Sequence, residues 1–376
     1  MKILHISSAR TLGGGERHLV DLVRALGERG HEVYVALRGG SMLGQELAAS
    51  LPASRIIRLP LRNALDLRSA LRLARIVREQ GIEIVHAHMA RDYPLAALAT
   101  RRREGARLVI TRHVLFPLGK FHAFALSHVA RVIAVSEPVA RSLKTQGIFP
   151  AEKISVVSNG IDFEKFEAGS PRAAARASLC RKLRIDEGLL LVGTLGALNR
   201  LKGHEEFLRA ADIVAARFAK VDFIIAGADA SPQGEHRAEL VRLIGALNLN
   251  GRVHLTGWLD DVTPLLKALD VFVSASRTES FGLAIVEAMA SGAAVVATST
   301  EGARSVVEDG LSGILVPVGD VEALAANILK LLTDENERRR LSKLAQREAR
   351  ERFSLERMVE ATEQIYLESL SETQAA

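Results

Sequence analysis

Two carboxylates, Glu279 and Glu287, stand eight residues apart in the stretch R-T-E-S-F-G-L-A-I-V-E-A-M-A-S-G-A-A-V-V-A, residues 277–297. Ser280-Phe281-Gly282 lies between them, where a helix should begin; Gly292 stops that helix and a short apolar strand follows. A helix N-terminus presents unpaired N–H groups and a partial positive charge, which suits a phosphate. Glu279 falls just before the helix, and Glu287 lies inside it, about one and a half turns along. Carboxylates so placed are poor phosphate ligands. They are good acceptors for hydroxyl hydrogen bonds, such as those of a sugar and a ribose.

A second loop supplies the opposite charge. Arg200 and Lys202, in L-N-R-L-K-G-H (residues 198–204), sit between a predicted strand and a helix, where cations neutralise a diphosphate. The chain has no D-x-D triplet, and Asp260-Asp261 reads as a helix cap. Protein cations therefore replace an acidic metal clamp, and metal-independent chemistry is expected, with no cofactor. Near the N-terminus, T-L-G-G-G-E (residues 11–16) joins the first strand to the first helix. Its glycines allow close backbone approach, but the spacing is not the G-x-G-x-x-G dinucleotide fingerprint. His113, at the end of a predicted strand, can hydrogen-bond a sugar or help stabilise positive charge at its anomeric carbon. His86 and His88 fall on one face of the preceding strand. Only two ligands are visible there, so core packing rather than a metal is expected.

Strands alternating with helices must carry these loops. Apolar runs at 2–6, 33–37, 82–86, 108–111, 132–135 and 154–157 are separated by helical segments. That rhythm predicts a parallel sheet with helices on both faces. A linker reads at E-A-G-S-P (residues 167–171), and the rhythm restarts with strands at 189–194, 223–226, 253–256, 271–274, 294–298 and 314–316. The expected fold class is α/β, with two Rossmann-like doubly wound domains facing a ligand cleft at the strands' C-terminal ends. At 376 residues the length suits two domains. The expected boundaries are 1–168 and 169–352, with a C-terminal helical segment over 353–376.

Composition narrows the class. One cysteine, Cys180, excludes an internal disulfide and a cysteine metal cluster. The opening M-K-I-L-H-I-S-S reads as a strand rather than a signal peptide, and no apolar run reaches transmembrane length. A cytoplasmic location is expected. Residues 1–165 carry 25 Lys+Arg against 14 Asp+Glu, whereas residues 166–376 carry 25 against 30. The basic excess belongs to the first half, and Arg68, Arg72, Arg75 and Arg78 recur on one predicted helical face. A solvated Arg-rich surface and peripheral contact with anionic lipid both fit this face. No nucleic-acid partner is expected.

The two-glutamate block resembles the signature of retaining family-4 glycosyltransferases of the GT-B fold. Similarity extends to L-G-G-G-E-R (12–17), V-H-A-H (85–88), V-S-N-G-I-D (157–162), K-G-H (202–204) and D-G-L-S-G (309–313). The resemblance implies a nucleotide-sugar co-substrate, UDP- or GDP-linked, bound mainly by the second domain. A glycan, lipid-linked or small-molecule acceptor is bound mainly by the first, to which the C-terminal helix returns. It assigns catalytic roles to His113, Glu279 and Lys202. Donor contacts fall to Gly14, Gly15, Arg200, Lys202, Glu279, Ser280, Phe281, Gly282, Leu283 and Glu287, with Gly227 near the base pocket. Arg91 and Asp92 are the acceptor contacts. The family places an arginine directly after the glycine that opens the phosphate loop; here Ala197 follows Gly196, and Arg200 is the available cation. Glu301-Gly302 stands where the family has two glycines. A nucleotide-sugar 2-epimerase of related fold and a non-catalytic nucleotide-sugar-binding protein are the competing readings.

Overall fold

In the computed structural model, which describes residues 1–101, 105–168 and 170–371, the chain forms two compact units. Unit 1 is Met1–Ile161 with the segment from Leu355, and unit 2 is Asp162–Ser354. The units part at Ile161, ahead of the proline-bearing linker, so the helix Phe163–Ala168 opens unit 2. Gly169 of that linker and residues 372–376 lie outside the described residues.

Unit 1 is built on a seven-stranded parallel sheet: β1 Lys2–Ser7, β2 Glu32–Arg38, β3 Ile56–Leu59, β4 Ile84–Ala87, β5 Arg107–Arg112, β6 Arg131–Ala134 and β7 Ile154–Val156. Its order is β3-β2-β1-β4-β5-β6-β7. Unit 2 carries β8 Leu190–Leu195, β9 Val221–Ala226, β10 Val253–Gly257, β11 Val271–Ser274, β12 Ala294–Thr298 and β13 Ile314–Val316, in the order β10-β9-β8-β11-β12-β13. Central strands such as β9 and β12 are buried throughout, which explains the apolar runs at 223–226 and 294–297. The edge strand β3 has no such run. Arg58 is exposed within it and Pro52 and Pro60 flank it, so its sequence reads as loop.

In each sheet the winding reverses once, between β1 and β4 and between β8 and β11. At such a switch point, the loops leaving two neighbouring strands diverge and open a crevice at the C-terminal edge. The glycine loop follows β1 and His88 follows β4. The Lys202 loop follows β8 and the Glu279 loop follows β11. The topology therefore places every predicted chemical loop at one of the two switch points, or on the strand beside it.

The C-terminal helix, Leu355–Ser371, packs in the core of unit 1. Leu355, Met358, Val359, Ile365 and Tyr366 join Leu19, Leu22, Val23 and Leu26 of the helix Gly14–Glu28. Polar ties hold it as well: His31 Nε2 lies 2.6 Å from Glu363 Oε1, and Arg29 Nε donates to Glu363 Oε2 at 3.0 Å. In unit 2, Asp270 ahead of β11 accepts from Arg172 (2.8 Å), Arg176 (2.9 Å) and the Leu191 amide (2.8 Å). This carboxylate binds the helix Arg172–Leu183 to the sheet. Among the described residues no helix is long and apolar enough to cross a membrane.

Candidate active site

In unit 2 the two switch-point loops are joined by a charge pair. Asn199 Oδ1 accepts the Leu201 amide at 3.0 Å, closing a single turn over Arg200–Lys202. From that turn Lys202 Nζ reaches Glu279 Oε1 at 2.5 Å, and the Leu201 carbonyl accepts the Arg277 amide at 2.8 Å. Ser276 Oγ donates to the same Glu279 oxygen at 2.9 Å. Thr298, at the end of β12, braces this loop by donating to the carbonyls of Ser274 and Ser276 at 3.2 and 2.5 Å. Neither Ser276 nor Thr298 stands out in sequence, because a serine in a loop and a threonine ending a strand are common. The Lys202 and Glu279 side chains are 28% and 15% exposed, so the pair is shielded yet reachable.

The helix after Glu279 runs Leu283–Ala290, with Gly282 at φ +102 immediately before it. Phe281 is buried edge-on against Phe353, with ring centroids 5.5 Å apart. That anchor holds the start of the helix, where the Ile285 and Val286 amides bond to the Gly282 carbonyl and the amides ahead of them have no intrahelical acceptor. Glu287 lies one turn in and is buried. Two glycines pack these loops. A Cβ on Gly302 would stand 2.6 Å from the Glu279 carbonyl oxygen, so the second residue of Glu301-Gly302 has no room for a side chain, while Glu301 is exposed. Gly227, at φ +154, would drive a Cβ to 1.8 Å from the Gly196 carbonyl. Its place is a backbone crossing between the loops after β8 and β9.

Arg200 does not join Lys202 at Glu279. Its side chain is 77% exposed and faces Glu239 at 3.6 Å. It lines a cavity of ≈ 500 Å³ with Asn199, His204, His236, Glu239 and Arg277. That cavity is separate in its lining from Lys202, Glu279 and Glu287.

In unit 1 the helix begins at Gly14, inside the glycine run, with Gly13 as its extended cap. None of Gly13, Gly14 and Gly15 has a positive φ, so handedness is not what they supply. A Cβ on Gly15 would lie 3.5 Å from the His113 ring, an ordinary contact, so this turn lies against His113 without packing that excludes a side chain. Burial raises the pKa of Glu16, an effect opposed by nearby backbone N–H groups and by Arg91. Asp92 is fully buried and accepts the Ser8 amide at 2.7 Å, so it acts from inside the fold. Burial raises its pKa to about 6.

His113 is part of a cluster whose size was not legible in the sequence. His5 Nδ1 lies 3.0 Å from His88 Nε2, and His88 Nδ1 lies 3.5 Å from His113 Nε2. His86 is held by the Tyr366 hydroxyl at 2.6 Å and Thr111 Oγ1 at 2.7 Å. His18 stands edge-on to His113, with ring centroids 5.0 Å apart. Burial lowers the pKa of all five, His5 to about 3 and His18 to about 4, so the rings are neutral at neutral pH. His113 therefore presents a neutral hydrogen-bonding ring rather than a charge.

Residues 12–165 match the family described as Glycosyltransferase Family 4, and residues 176–348 match Glycosyl transferases group 1. The chain is 29% identical over 366 residues to the lipopolysaccharide core biosynthesis glycosyltransferase LpsE of Rhizobium meliloti, covering 96% of this chain and 97% of that protein. It is 31% identical over 325 residues to the D-inositol 3-phosphate glycosyltransferase of Salinispora tropica, covering 80% and 67%. Among solved structures it resembles Anabaena Alr3699/HepE in complex with UDP and glucose, at TM-score 0.85 and 25% identity over 99% of this chain and 100% of that one. The glycosyltransferase from Rickettsia africae shares the fold at TM-score 0.86 and 22% identity, covering 98% of each chain. The chain belongs to the family-4 glycosyltransferases, with the two Rossmann-like domains of the GT-B fold.

Proposed function

We propose that this glycosyltransferase is a retaining, metal-independent enzyme that transfers a sugar from a UDP-sugar to a hydroxyl of a lipid-linked glycan acceptor. The observation that carries the donor half is the Lys202–Glu279–Ser276 constellation beside the helix N-terminus at Gly282. When the bond from the sugar C1 to phosphate breaks, negative charge grows on the departing diphosphate. Lys202 and the first-turn amides stabilise it, and such preorganised electrostatics is commonly the largest catalytic term. Glu279 accepts from a hydroxyl of the donor sugar and Glu287 from the ribose. The acceptor hydroxyl attacks on the leaving-group face and gives its proton to the departing phosphate oxygen, so no separate acid pair is required. UDP is favoured as the carrier because the Anabaena relative was solved with UDP and glucose.

The acceptor reading rests on unit 1. Phe116, Phe121 and Phe124 are 61%, 48% and 70% exposed shortly after His113, next to Arg101, whose guanidinium lies over the Phe124 ring. Leu65, Leu67 and Leu71 are likewise exposed among Arg68, Arg72 and Arg75. Apolar side chains interleaved with cations suit a lipid-anchored substrate and peripheral contact with an anionic bilayer.

Thermal-shift measurements with UDP, GDP, ADP and dTDP and their sugars, in EDTA, test the donor. A ligand at 100 times its Kd adds about 2.7 kcal/mol if it binds only the folded state. Stabilisation by the UDP series in EDTA is expected; stabilisation only on adding a divalent metal would overturn metal independence. Lys202→Ala should cost about 2–4 kcal/mol of transition-state stabilisation. Conversion of the donor at C2 with no acceptor present would identify an epimerase instead.

A further inference from the structure

We propose that His18, His88 and His113 form a binding site in unit 1 for a divalent transition cation, Zn²⁺ being the best-suited occupant. One nitrogen from each ring lies within 4.8 Å of the other two. His88 Nδ1 and His113 Nε2 are 3.5 Å apart. Two imidazole nitrogens on one tetrahedral zinc, each about 2.0–2.1 Å from it, stand about 3.3 Å apart. Two of the three ligands are therefore already at ligand spacing.

His18 supplies the independent observation. It is 3% exposed, and both its ring nitrogens are buried without a hydrogen-bond partner. Asn159 lies beside it and favours its charged form, but no well-formed hydrogen bond closes between them, and Asn159 Oδ1 is itself buried and unpartnered. Buried polar atoms normally find partners, and a cation would engage the idle lone pair.

The surrounding contacts select this triad. His5, His86 and His88 also converge, but both nitrogens of His86 are engaged, by Tyr366 and Thr111. His5 instead serves His88 from behind. For His88 Nδ1 to offer its lone pair, His88 Nε2 must carry the proton and donate to His5 Nδ1, 3.0 Å away. Metal-binding imidazoles characteristically donate their second N–H in this way, which fixes the tautomer. His113 is the least buried of the three and gives the site its access. A filled site would withdraw His113 Nε2 from any sugar and so inhibit transfer; that consequence, unlike the site itself, rests on the role proposed for His113.

The test uses tag-free, full-length protein without nucleotide. ZnCl₂ is titrated calorimetrically, and CoCl₂ is followed by visible absorption. One equivalent should bind, with the intense bands of tetrahedral cobalt, and Zn²⁺ should displace it. His18→Gln should weaken binding at least tenfold and abolish the tetrahedral spectrum, whereas His236→Gln, in unit 2, should leave both unchanged. Circular dichroism checks that His18→Gln folds; if it does not, His113→Gln, altering the least buried ligand, must give the same loss. No stoichiometric binding, or binding that survives both substitutions, would overturn the proposal. Because no donor is present, neither result depends on glycosyl transfer.

Discussion

Glu279→Gln should tighten the binding of UDP while reducing transfer. Lys202 is engaged by Glu279 at 2.5 Å, so in the proposed donor site a diphosphate must draw the ammonium away from a carboxylate before binding it. The carboxylate also repels the diphosphate, and the two effects have the same sign. Fully exposed pairs contribute about 0–1 kcal/mol, and removing one partner of a buried pair costs about 3–5 kcal/mol. With side chains 28% and 15% exposed, this pair falls between, and about 1–2 kcal/mol is a reasonable value for releasing Lys202. At about 1.4 kcal/mol per tenfold, UDP should bind about 5–30 times more tightly to Glu279→Gln. Glutamine keeps an oxygen for the Ser276 hydroxyl, so the loop should hold its place. Isothermal titration of UDP against the wild type, Glu279→Gln and the double variant with Lys202→Ala decides the matter. The double variant should lose the gain. Equal or weaker UDP binding by Glu279→Gln would refute the reasoning.

Gly302→Ala should destabilise unit 2 by at least about 2 kcal/mol and weaken UDP binding, since its Cβ would meet the Glu279 carbonyl oxygen at 2.6 Å; a wild-type melting temperature would contradict this. Asp270→Ala should cost about 2–4 kcal/mol in urea unfolding, because it strips Arg176, 18% exposed, of its carboxylate while leaving the guanidinium half-buried. Acid should destabilise unit 1. His5 and His18, with pKa values lowered to about 3 and about 4 by burial, take up protons more readily unfolded, so stability falls as pH drops below about 6.5. Between pH 7 and 5 each costs about 2 kcal/mol, while Asp92, raised to about 6, returns about 1 kcal/mol because its protonated form is favoured in the fold. The other three histidines add to the loss, so unfolding free energies equal at pH 7 and pH 5 would exclude this balance.

Much of the fold is legible because strands buried on both faces must be apolar along their whole length. The runs in β1, β2, β4 to β6, β8, β9, β11 and β12 carry that mark; the edge strands β7, β10 and β13 carry it only in part, and β3, an edge strand with Arg58 exposed, does not. The Glu279–Glu287 block was legible for a related reason: a loop, a helix start and a helix body follow one another in sequence, so their spacing is local. The partners across loops were not. Arg200 and Lys202 share one turn and look equivalent as text, yet Lys202 meets Glu279 and Arg200 turns to Glu239. Histidines 5, 18, 86, 88 and 113 look isolated or paired until β1, β4 and β5 lie side by side and the helix Gly14–Glu28 packs against them. Local spacing determines which element forms and where a helix N-terminus points. Which charges and imidazoles finally touch is decided by strand order, because a parallel sheet with a switch point brings together chain segments that are far apart in sequence.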